Sequence, residues 1–304
     1  MRAWSIVTDS VVFSARVFSF LVRLGELRLA RRLASWTGGS TAWRRVFGHR
    51  ICLDLSRSNA QKLLWLQGER FVTERRLVRS LIRPGMRVVD VGANIGYYLL
   101  LFEQATHGQG QIVCIEPEPA NLRELRATVS ANSLENVTIM PVAAGSARSQ
   151  ARLVPGINGR IDSGAVGGLS VNVVPLDELV EPPVDFIKVD VEGYELEVVK
   201  GAQRLIRSCR PTLFVEVHPA IIACQDRVGE LIDLLSTTHP RVECLVPDRH
   251  GGVVRSIIGR YFSSFAIRRL PWAEEVRPGL TVLQEATFWL LATAGGDNRR
   301  SVAV

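Results

Sequence analysis

The sequence has no C-x-x-C pair and no cluster of thiols. Its five cysteines are scattered along the chain, at Cys52, Cys114, Cys209, Cys224 and Cys244. A structural zinc site needs grouped thiols, and a small secreted scaffold needs a disulfide framework. Neither class fits this spacing. Isolated thiols favour a reduced, cytoplasmic setting.

A long apolar run free of charge is also missing. The apolar residues between Ser5 and Trp36 are interrupted by acids and arginines, among them Arg16, Arg23 and Glu26. A membrane-spanning helix needs about 18 uncharged residues, so no span is predicted. Most of the arginines follow the apolar stretch, whereas a signal peptide begins with its basic residues. Export is therefore not expected.

Two interpretations of this N-terminal region remain open. Residues 1–48 form either a helical extension packed on the rest of the chain or a basic amphipathic helix on an anionic membrane surface. The second interpretation predicts a peripheral contact with the inner face of the membrane. In both cases, we expect one large domain over residues 49–304 and a cytoplasmic location.

Disorder and low complexity are absent as well. The 304 residues are 47% hydrophobic and 22% charged, a composition typical of a folded globular protein. The net charge of +7 is compatible with an anionic partner but is modest for this length.

A glycine-containing turn between a strand and a helix is the most informative feature present. The valine-rich stretch 87–91 follows a Pro-Gly turn and predicts a buried strand, and residues 97–104 predict a helix. Between them, Gly92, Asn94 and Gly96 form a turn where a backbone without Cβ atoms can approach a ligand. We expect Asp90 to place its carboxylate at the mouth of the same crevice. A nucleotide-like cofactor is predicted here.

The spacing of this turn narrows the choice of cofactor. A dinucleotide fingerprint needs glycines where Asn94 and Tyr97 stand, and a P-loop needs a Lys-Ser or Lys-Thr pair that is missing. The pattern Asp90-x-Gly92-x-Asn94-x-Gly96 instead resembles motif I of the class I S-adenosylmethionine methyltransferases. Glu116 follows Gly96 by 20 residues at the end of the next strand, where a carboxylate can accept hydrogen bonds from ribose hydroxyls. The predicted cofactor-binding residues are Asp90, Gly92, Asn94, Gly96, Glu116 and Ala143. Glu118 is instead expected to be a solvated acid at the start of the next helix.

Strands alternate with helices from Pro84 onward. This order predicts an α/β fold with a doubly wound, mostly parallel sheet, whose ligands bind at the carboxyl ends of the strands. The predicted strands are 49–55, 87–91, 111–115, 137–142, 184–191, 212–217, 242–245 and 286–292, and the main predicted helices are 69–82, 97–104, 119–131, 194–207 and 229–237. Residues 148–174 are glycine-rich and are expected to form strands and loops at one edge. Residues 44–50 are interpreted as a basic linker.

The stretch from Asp185 to Glu195, Asp-Phe-Ile-Lys-Val-Asp-Val-Glu-Gly-Tyr-Glu, is similar to the signature of the FkbM family of S-adenosylmethionine-dependent methyltransferases. Leu176–Leu179 and Phe214–His218 stand where that family has its L-D-x-L and V-E-x-H elements. The resemblance covers roughly residues 50–220. It implies S-adenosylmethionine as cofactor and methylation of a hydroxyl on a sugar, glycolipid or polyketide-type small molecule.

Four titratable residues are expected to converge beside the transferable methyl group. Asp190 and Glu192 share one side of their strand if it stays extended, and Glu216 and His218 share one side of the next. A hydroxyl needs a base as its oxygen is methylated, and His218 is the predicted base at neutral pH. Asp190 is expected to position the acceptor, with Glu192 as a further catalytic candidate. Glu195 and Glu197 are expected to be surface charges of the following helix.

Three alternatives stay open. Metal-assisted transfer would use Asp190, Glu192 and either Glu216 or His218 as ligands of a hard divalent ion, although no resident metal is assigned. Methylation of a base amine in nucleic acid usually accompanies an Asn-Pro-Pro-aromatic motif. Residues 190–193 occupy its place, so no nucleic-acid partner is expected. The third alternative is a non-catalytic, membrane-associated module that retains the fold.

Overall fold

A computed structural model of the chain describes residues 41–70, 72–154, 160–161, 167–218, 225–247, 267–271 and 287–294. The predicted helical extension and its membrane contact lie almost entirely outside these ranges and stay predictions. Among the described helices, none combines the length and the apolar character needed to cross a bilayer.

Fourteen strands and eight helices are described. The strands are β1 Thr41–Val46, β2 His49–Asp54, β3 Arg87–Val91, β4 Gln111–Ile115, β5 Val137–Met140, β6 Ala143–Ala144, β7 Ser149–Val154, β8 Arg160–Ile161, β9 Leu169–Val174, β10 Phe186–Val189, β11 Thr212–Val217, β12 Arg241–Pro247, β13 Ile267–Pro271 and β14 Phe288–Thr293. The helices are α1 Asn59–Gln67, α2 Val72–Leu81, α3 Tyr97–Thr106, α4 Pro119–Ala131, α5 Leu176–Leu179, α6 Glu195–Lys200, α7 Gln203–Cys209 and α8 Gln225–Ser236.

Eight strands form the central sheet, in the order β13-β12-β14-β11-β10-β3-β4-β5. The five strands from β11 to β5 run parallel to one another. β14 is antiparallel to both of its neighbours, and β13 is antiparallel to β12. The doubly wound, mostly parallel sheet is therefore confirmed. β10 lies between β3 and β11, so the carboxyl ends of these three strands meet at one edge of the sheet.

The two faces of the sheet are both covered, because side chains along each strand alternate between two hydrophobic clusters. Ile187 and Val189 of β10 pack in one cluster, together with Leu196 and Leu205 from α6 and α7. Phe186 of the same strand packs in the other cluster, which also contains residues of α2, α3 and α4. This alternation explains why the strands read as nearly continuous apolar runs.

The interpretation of residues 44–50 as a linker is wrong, because they belong to a hairpin. β1 and β2 pair antiparallel through a turn in which Phe47 and Gly48 have φ of 50° and 83°. Positive φ at both central residues is what a tight hairpin turn requires. The hairpin docks on α4, where the Cys52 amide donates to Thr128 Oγ1 over 3.0 Å. It spans the predicted domain boundary after residue 48.

Two further elements differ from prediction. The described residues of 148–174 contribute three strands to a separate four-stranded sheet, in the order β6-β9-β7-β8, and not to the main sheet. The single helix predicted over 194–207 is broken into α6 and α7. A Cβ at Gly201 would lie 1.8 Å from the carbonyl oxygen of Gly145, so the chain there is held against a neighbouring backbone.

Candidate active site

The glycine turn connects β3 to α3 by a backbone path that few residue types can follow. Gly92, Asn94 and Gly96 have φ of 82°, 51° and 91°. The Gly92 amide donates to the carbonyl of Ile115 over 2.9 Å, which fixes the turn to the end of β4. A Cβ at Gly92 would lie 1.8 Å from the carbonyl oxygen of Asp190, so the glycine is required by close packing as well as by its φ.

A cavity of about 390 Å³ opens at the carboxyl ends of β3, β4, β10 and β11. The residues around it include most of those predicted from the sequence: Gly92, Asn94, Glu116, Ala143, Asp190, Glu192, Glu216 and His218. Asp90 and Gly96 do not line it. The structure therefore brings four of the six predicted cofactor residues and all of the predicted catalytic residues into one cavity.

Glu116 is nearly fully buried, and its carboxylate is already well supplied with donors. Oε2 accepts from the Asn94 amide over 2.8 Å. Oε1 accepts from the Glu118 amide over 2.8 Å and from the Asn121 side chain over 3.2 Å. Burial raises the pKa of Glu116 to about 7, although these hydrogen bonds oppose the shift. Because a carboxylate has about four acceptor positions, three protein donors leave one for a ribose hydroxyl.

Asp90 is fully buried, so the expectation that its carboxylate lies at the mouth of the crevice is wrong. It is adjacent in register to Lys188 of β10, whose Nζ lies 3.5 Å from Asp90 Oδ1 and 3.3 Å from Asp190 Oδ2. The ammonium also lies 4.7 Å from the ring centroid of Tyr98. Burial alone would lower the pKa of Lys188, but Asp190 and Asp90 raise it, so the ammonium stays charged. The ammonium of Lys188 thus lies between the carboxylates of Asp90 and Asp190.

Three carboxylates and one imidazole occupy the end of the cavity nearest β10 and β11. These residues, Asp190, Glu192, Glu216 and His218, are called the acid–histidine cluster. Nε2 of His218 lies 3.5 Å from Glu192 Oε2 and 3.6 Å from Glu216 Oε1. One ligand atom each from Asp190, Glu192 and His218 lies within 4.8 Å of the other two. The convergence is the predicted one, but its cause is not an extended strand. β10 ends at Val189, and Glu192 has φ of 53° in the turn that follows.

The carboxylates change the protonation of His218. Burial alone would lower the pKa of this imidazole, but Glu195, Glu216, Asp190 and Glu192 raise it to about 9. At pH 7, only about one imidazole in a hundred is then neutral. Burial and the neighbouring Asp190 raise the pKa of Glu216 to about 8, even though His218 and Lys188 oppose the shift. The cluster therefore holds protons at neutral pH.

The prediction that Glu195 is a surface charge is wrong, because this residue is completely buried. Its Oε1 accepts from the Gly193 amide over 2.9 Å and lies 3.5 Å from His218 Nδ1. Its Oε2 is buried and makes no hydrogen bond. This carboxylate stands behind the imidazole, on the side away from Glu192 and Glu216. Glu197, in contrast, is half-buried and forms an ion pair with Arg227 over 2.6 Å.

Comparison with known families identifies the chain. A family profile described as the methyltransferase FkbM domain matches residues 90–241, which run from the acid of the glycine turn to the start of β12 and include the acid–histidine cluster. The matched range is half of the sequence. The chain belongs to the FkbM methyltransferase family.

One curated relative of this FkbM-family chain is the hexuronic acid methyltransferase AglP of Haloferax volcanii. The two are 28% identical over 141 residues, which are 43% of this chain and 56% of the relative. The FkbM-family chain thus spans little more than half of the relative's length.

Solved structures give weaker similarities. The FkbM methyltransferase of Methylobacillus flagellatus is 24% identical, with a TM-score of 0.39, over 59% of this chain and 48% of that one. An S-adenosylmethionine-dependent O-methyltransferase of Thermotoga maritima is 12% identical, with a TM-score of 0.42, over 83% and 77% of the two chains.

Several residues lining the cavity of the FkbM-family chain are missing from the predicted set: Arg57, Gln61, Arg70, Glu74, Tyr97, Tyr98, Asn121 and Lys188. A signal existed for Lys188, because a lysine inside an apolar strand is almost never buried without a partner. Glu118, predicted to be a solvated acid at the start of a helix, is buried and paired with Arg57 over 2.7 Å.

Proposed function

We propose that the chain is an S-adenosylmethionine-dependent O-methyltransferase that acts on a hydroxyl of a sugar, glycolipid or polyketide-type small molecule. One observation carries the proposal. The glycine turn and the buried carboxylate of Glu116 lie at one side of the cavity, and the acid–histidine cluster lies at the other side. A methyl donor and an acceptor hydroxyl must meet in such a space at near-attack distance.

The residues of the turn fit the cofactor. Gly92, Asn94 and the small Ala143 line the cavity, and Glu116 has an acceptor position left for a ribose hydroxyl. When bound, S-adenosylmethionine supplies a methyl group on a cationic sulfonium. In this proposal Asn94 also contacts the cofactor, while Asp90 and Gly96 hold the turn in place from behind.

The catalytic residues would act on the acceptor. A hydroxyl oxygen becomes positively charged as it gains the methyl group, so its proton must pass to a base at the same time. We propose that Asp190, Glu192 and His218 surround this oxygen. Their carboxylates attract the developing positive charge in a half-buried site, where charges are poorly screened. His218 remains the predicted base, and its raised pKa makes Asp190 the direct competitor for that role.

The relative in Haloferax, which is named for hexuronic acid, supports a sugar as the acceptor. Sugars and glycolipids containing hexuronic acid are therefore the first substrates to test. The four described cysteines are unbridged, which supports a cytoplasmic reaction. A contact of the N-terminal region with the membrane surface remains part of the proposal.

Calorimetry with S-adenosylmethionine tests the cofactor, and transfer of a labelled methyl group to such sugars tests the reaction. Glu116→Ala should weaken cofactor binding by about 1–3 kcal/mol, because a buried acceptor is lost. A folded wild-type protein that binds no S-adenosylmethionine would refute the proposed function. Unchanged affinity in Glu116→Ala would only remove Glu116 from the site.

The base is identified by comparing two variants. If His218 is the base, His218→Ala should lower kcat by about 100-fold or more with nearly unchanged cofactor affinity. If His218→Ala keeps its rate and Asp190→Asn loses it, Asp190 is the base and the imidazole serves another purpose.

A further inference from the structure

Asp190, Glu192 and His218 are arranged so that they can hold one metal ion. One oxygen from each carboxylate and one imidazole nitrogen lie within 4.8 Å of one another, and all three residues line the cavity. Ligand atoms about 2.0–2.6 Å from a divalent ion can be at most about 5 Å apart. The three atoms can therefore contact one ion with little movement of their side chains.

A second and independent observation is the buried carboxylate of Glu195. This residue has no exposed surface, and its Oε2 makes no hydrogen bond. Its Oε1 lies 3.5 Å from Nδ1 of His218, while Nε2 is the nitrogen that faces Glu192 and Glu216. Histidines that bind metals usually present their second nitrogen to a carboxylate, which fixes the tautomer and the ring orientation. Glu195 stands where such a supporting carboxylate belongs.

The charges around the cluster also favour a cation. Lys188 lies beside Asp190, but it is shared with the fully buried Asp90 and so compensates only part of the charge of Asp190. Glu192 and Glu216 both approach His218 within 3.6 Å. Carboxylates gathered at such short range are stabilised by a positive charge between them, and a divalent ion would take the place of the proton on the imidazole.

We propose that Asp190, Glu192 and His218 bind a divalent metal ion at the acceptor end of the cavity, with Glu195 as a positioning residue behind the imidazole. Two carboxylate oxygens and one imidazole nitrogen form a mixed ligand set. This set suits a first-row ion such as Mn²⁺ better than Ca²⁺, which prefers oxygen ligands alone.

This inference rests on the proposed function for its chemical meaning. An ion held by these residues would lie where the acceptor hydroxyl is proposed to bind. It would lower the pKa of that hydroxyl and orient two neighbouring hydroxyls of a sugar. His218 would not then be the base, because its Nε2 would be bound to the ion. The hydroxyl proton would pass to Glu216, which lines the cavity and is not a ligand. The acceptor class would then be a sugar or polyol with adjacent oxygen ligands.

The test measures binding of Mn²⁺ alone to the full-length protein. The protein is first freed of metal with EDTA, and free Mn²⁺ is quantified by its electron paramagnetic resonance signal. We expect one saturable site in the wild type. Asp190→Asn, Glu192→Gln and His218→Gln should each weaken binding by at least about tenfold, because each replaces a carboxylate or imidazole ligand with a weaker amide oxygen.

Glu230→Gln is the matched control for Glu192→Gln. Glu230 lies on α8 with half of its side chain exposed and pairs with Lys200 over 2.7 Å, away from the cluster. The Glu230→Gln substitution should leave Mn²⁺ binding unchanged. Circular dichroism shows which variants are folded, and if one variant fails to fold, the other two still decide the question. Glu195→Gln should weaken binding about tenfold through the orientation of the imidazole.

The proposal is overturned if the folded wild type does not bind Mn²⁺, or if Glu192→Gln binds it as tightly as Glu230→Gln does. Wild-type affinity in Glu195→Gln would overturn the role of Glu195. The two proposals also fail separately. Mn²⁺ binding without S-adenosylmethionine binding refutes the methyltransferase function and supports the metal site. Full methyl transfer in EDTA without Mn²⁺ binding does the reverse.

Discussion

A side-chain carbon on Gly92 would lie 1.8 Å from the carbonyl oxygen of Asp190. The backbone of the glycine turn is thus in contact with the backbone that follows β10. This contact sets the distance between the predicted cofactor residues and the acid–histidine cluster. A change at the turn should therefore affect both.

Gly92→Ala is predicted to destabilise the protein and to abolish cofactor binding. The cost contains about 1–2 kcal/mol for a left-handed conformation and a larger contribution from the backbone clash. Gly48→Ala is the matched control, because Gly48 has φ of 83° but open space around its Cα. It should lose only the first contribution. Urea unfolding and calorimetry check both variants, and equal losses in the two would disprove the contribution of the contact.

Binding of S-adenosylmethionine should strengthen as pH rises through about 7. The pKa of Glu116 is raised to about 7, mainly by burial, and only the ionised carboxylate accepts a hydrogen bond at every oxygen position. Between pH 8 and pH 6 its ionised fraction falls about tenfold, and the affinity should follow. Calorimetry across this range is the measurement. Glu116→Gln cannot ionise, so its affinity for S-adenosylmethionine should be lower and should change less with pH. If the affinity of this variant changed with pH as steeply as that of the wild type, the titrating group would not be Glu116.

Glu74 is predicted to make stability depend on pH. It is 4% exposed, its Oε2 is buried without a hydrogen bond, and burial raises its pKa from 4.5 to about 7. An acid with a raised folded pKa stabilises the protein below its unfolded pKa and loses this contribution as pH rises through the folded pKa. Glu74→Gln should therefore stabilise the protein at pH 8, by up to about 3 kcal/mol, and have little effect at pH 4.5.

Urea unfolding at the two pH values tests this prediction. Glu230→Gln is again the control, because its exposed carboxylate should give the same small effect at both pH values. A Glu74→Gln effect of equal size at pH 4.5 and pH 8 would contradict the assigned titration.

Lys188→Met should destabilise the protein by about 3–5 kcal/mol, because it leaves Asp90 buried without a compensating charge. Nζ of Lys188 lies 3.5 Å from Asp90, and neither Asp90 oxygen has a hydrogen bond. Adding Asp90→Asn to Lys188→Met should recover much of the loss, since the second change removes the uncompensated charge. A double variant with the summed loss of the two single variants would show that the pair is not coupled.

Much of the fold could be predicted because the buried strands have an unambiguous sequence pattern. β3, β4 and β11 have the predicted bounds, since each is a short apolar run between turn residues. The break between α6 and α7 could not be predicted, because it depends on the approach of Gly201 to Gly145, which is distant in sequence. β2 lies within the predicted strand 49–55. β1 was missed because Val46 is its only buried residue, so the sequence of this strand has no apolar alternation.

The site was predicted where strand ends carry polar residues and was missed where burial depends on tertiary packing. Glu116, Asp190 and His218 follow strands directly and line the cavity as expected. Glu195 has the sequence context of an exposed residue at a helix start, and only the structure shows its carboxylate behind the imidazole. The prediction for Asp90 failed in the opposite direction. Its place in the motif suggested an accessible carboxylate, but the carboxylate is buried beside Lys188.

The position of β14 has a consequence for how the chain assembles during synthesis. β14 is the last described strand, yet it lies between β11 and β12. Until residues 288–293 leave the ribosome, β11 and β12 both present unpaired backbone edges, and Glu216 stands on a strand with one open side. The parallel core can form early, but the acid–histidine cluster gains its supporting neighbour only at the end. A chain truncated before β14 should therefore expose the unpaired edges of β11 and β12 and aggregate.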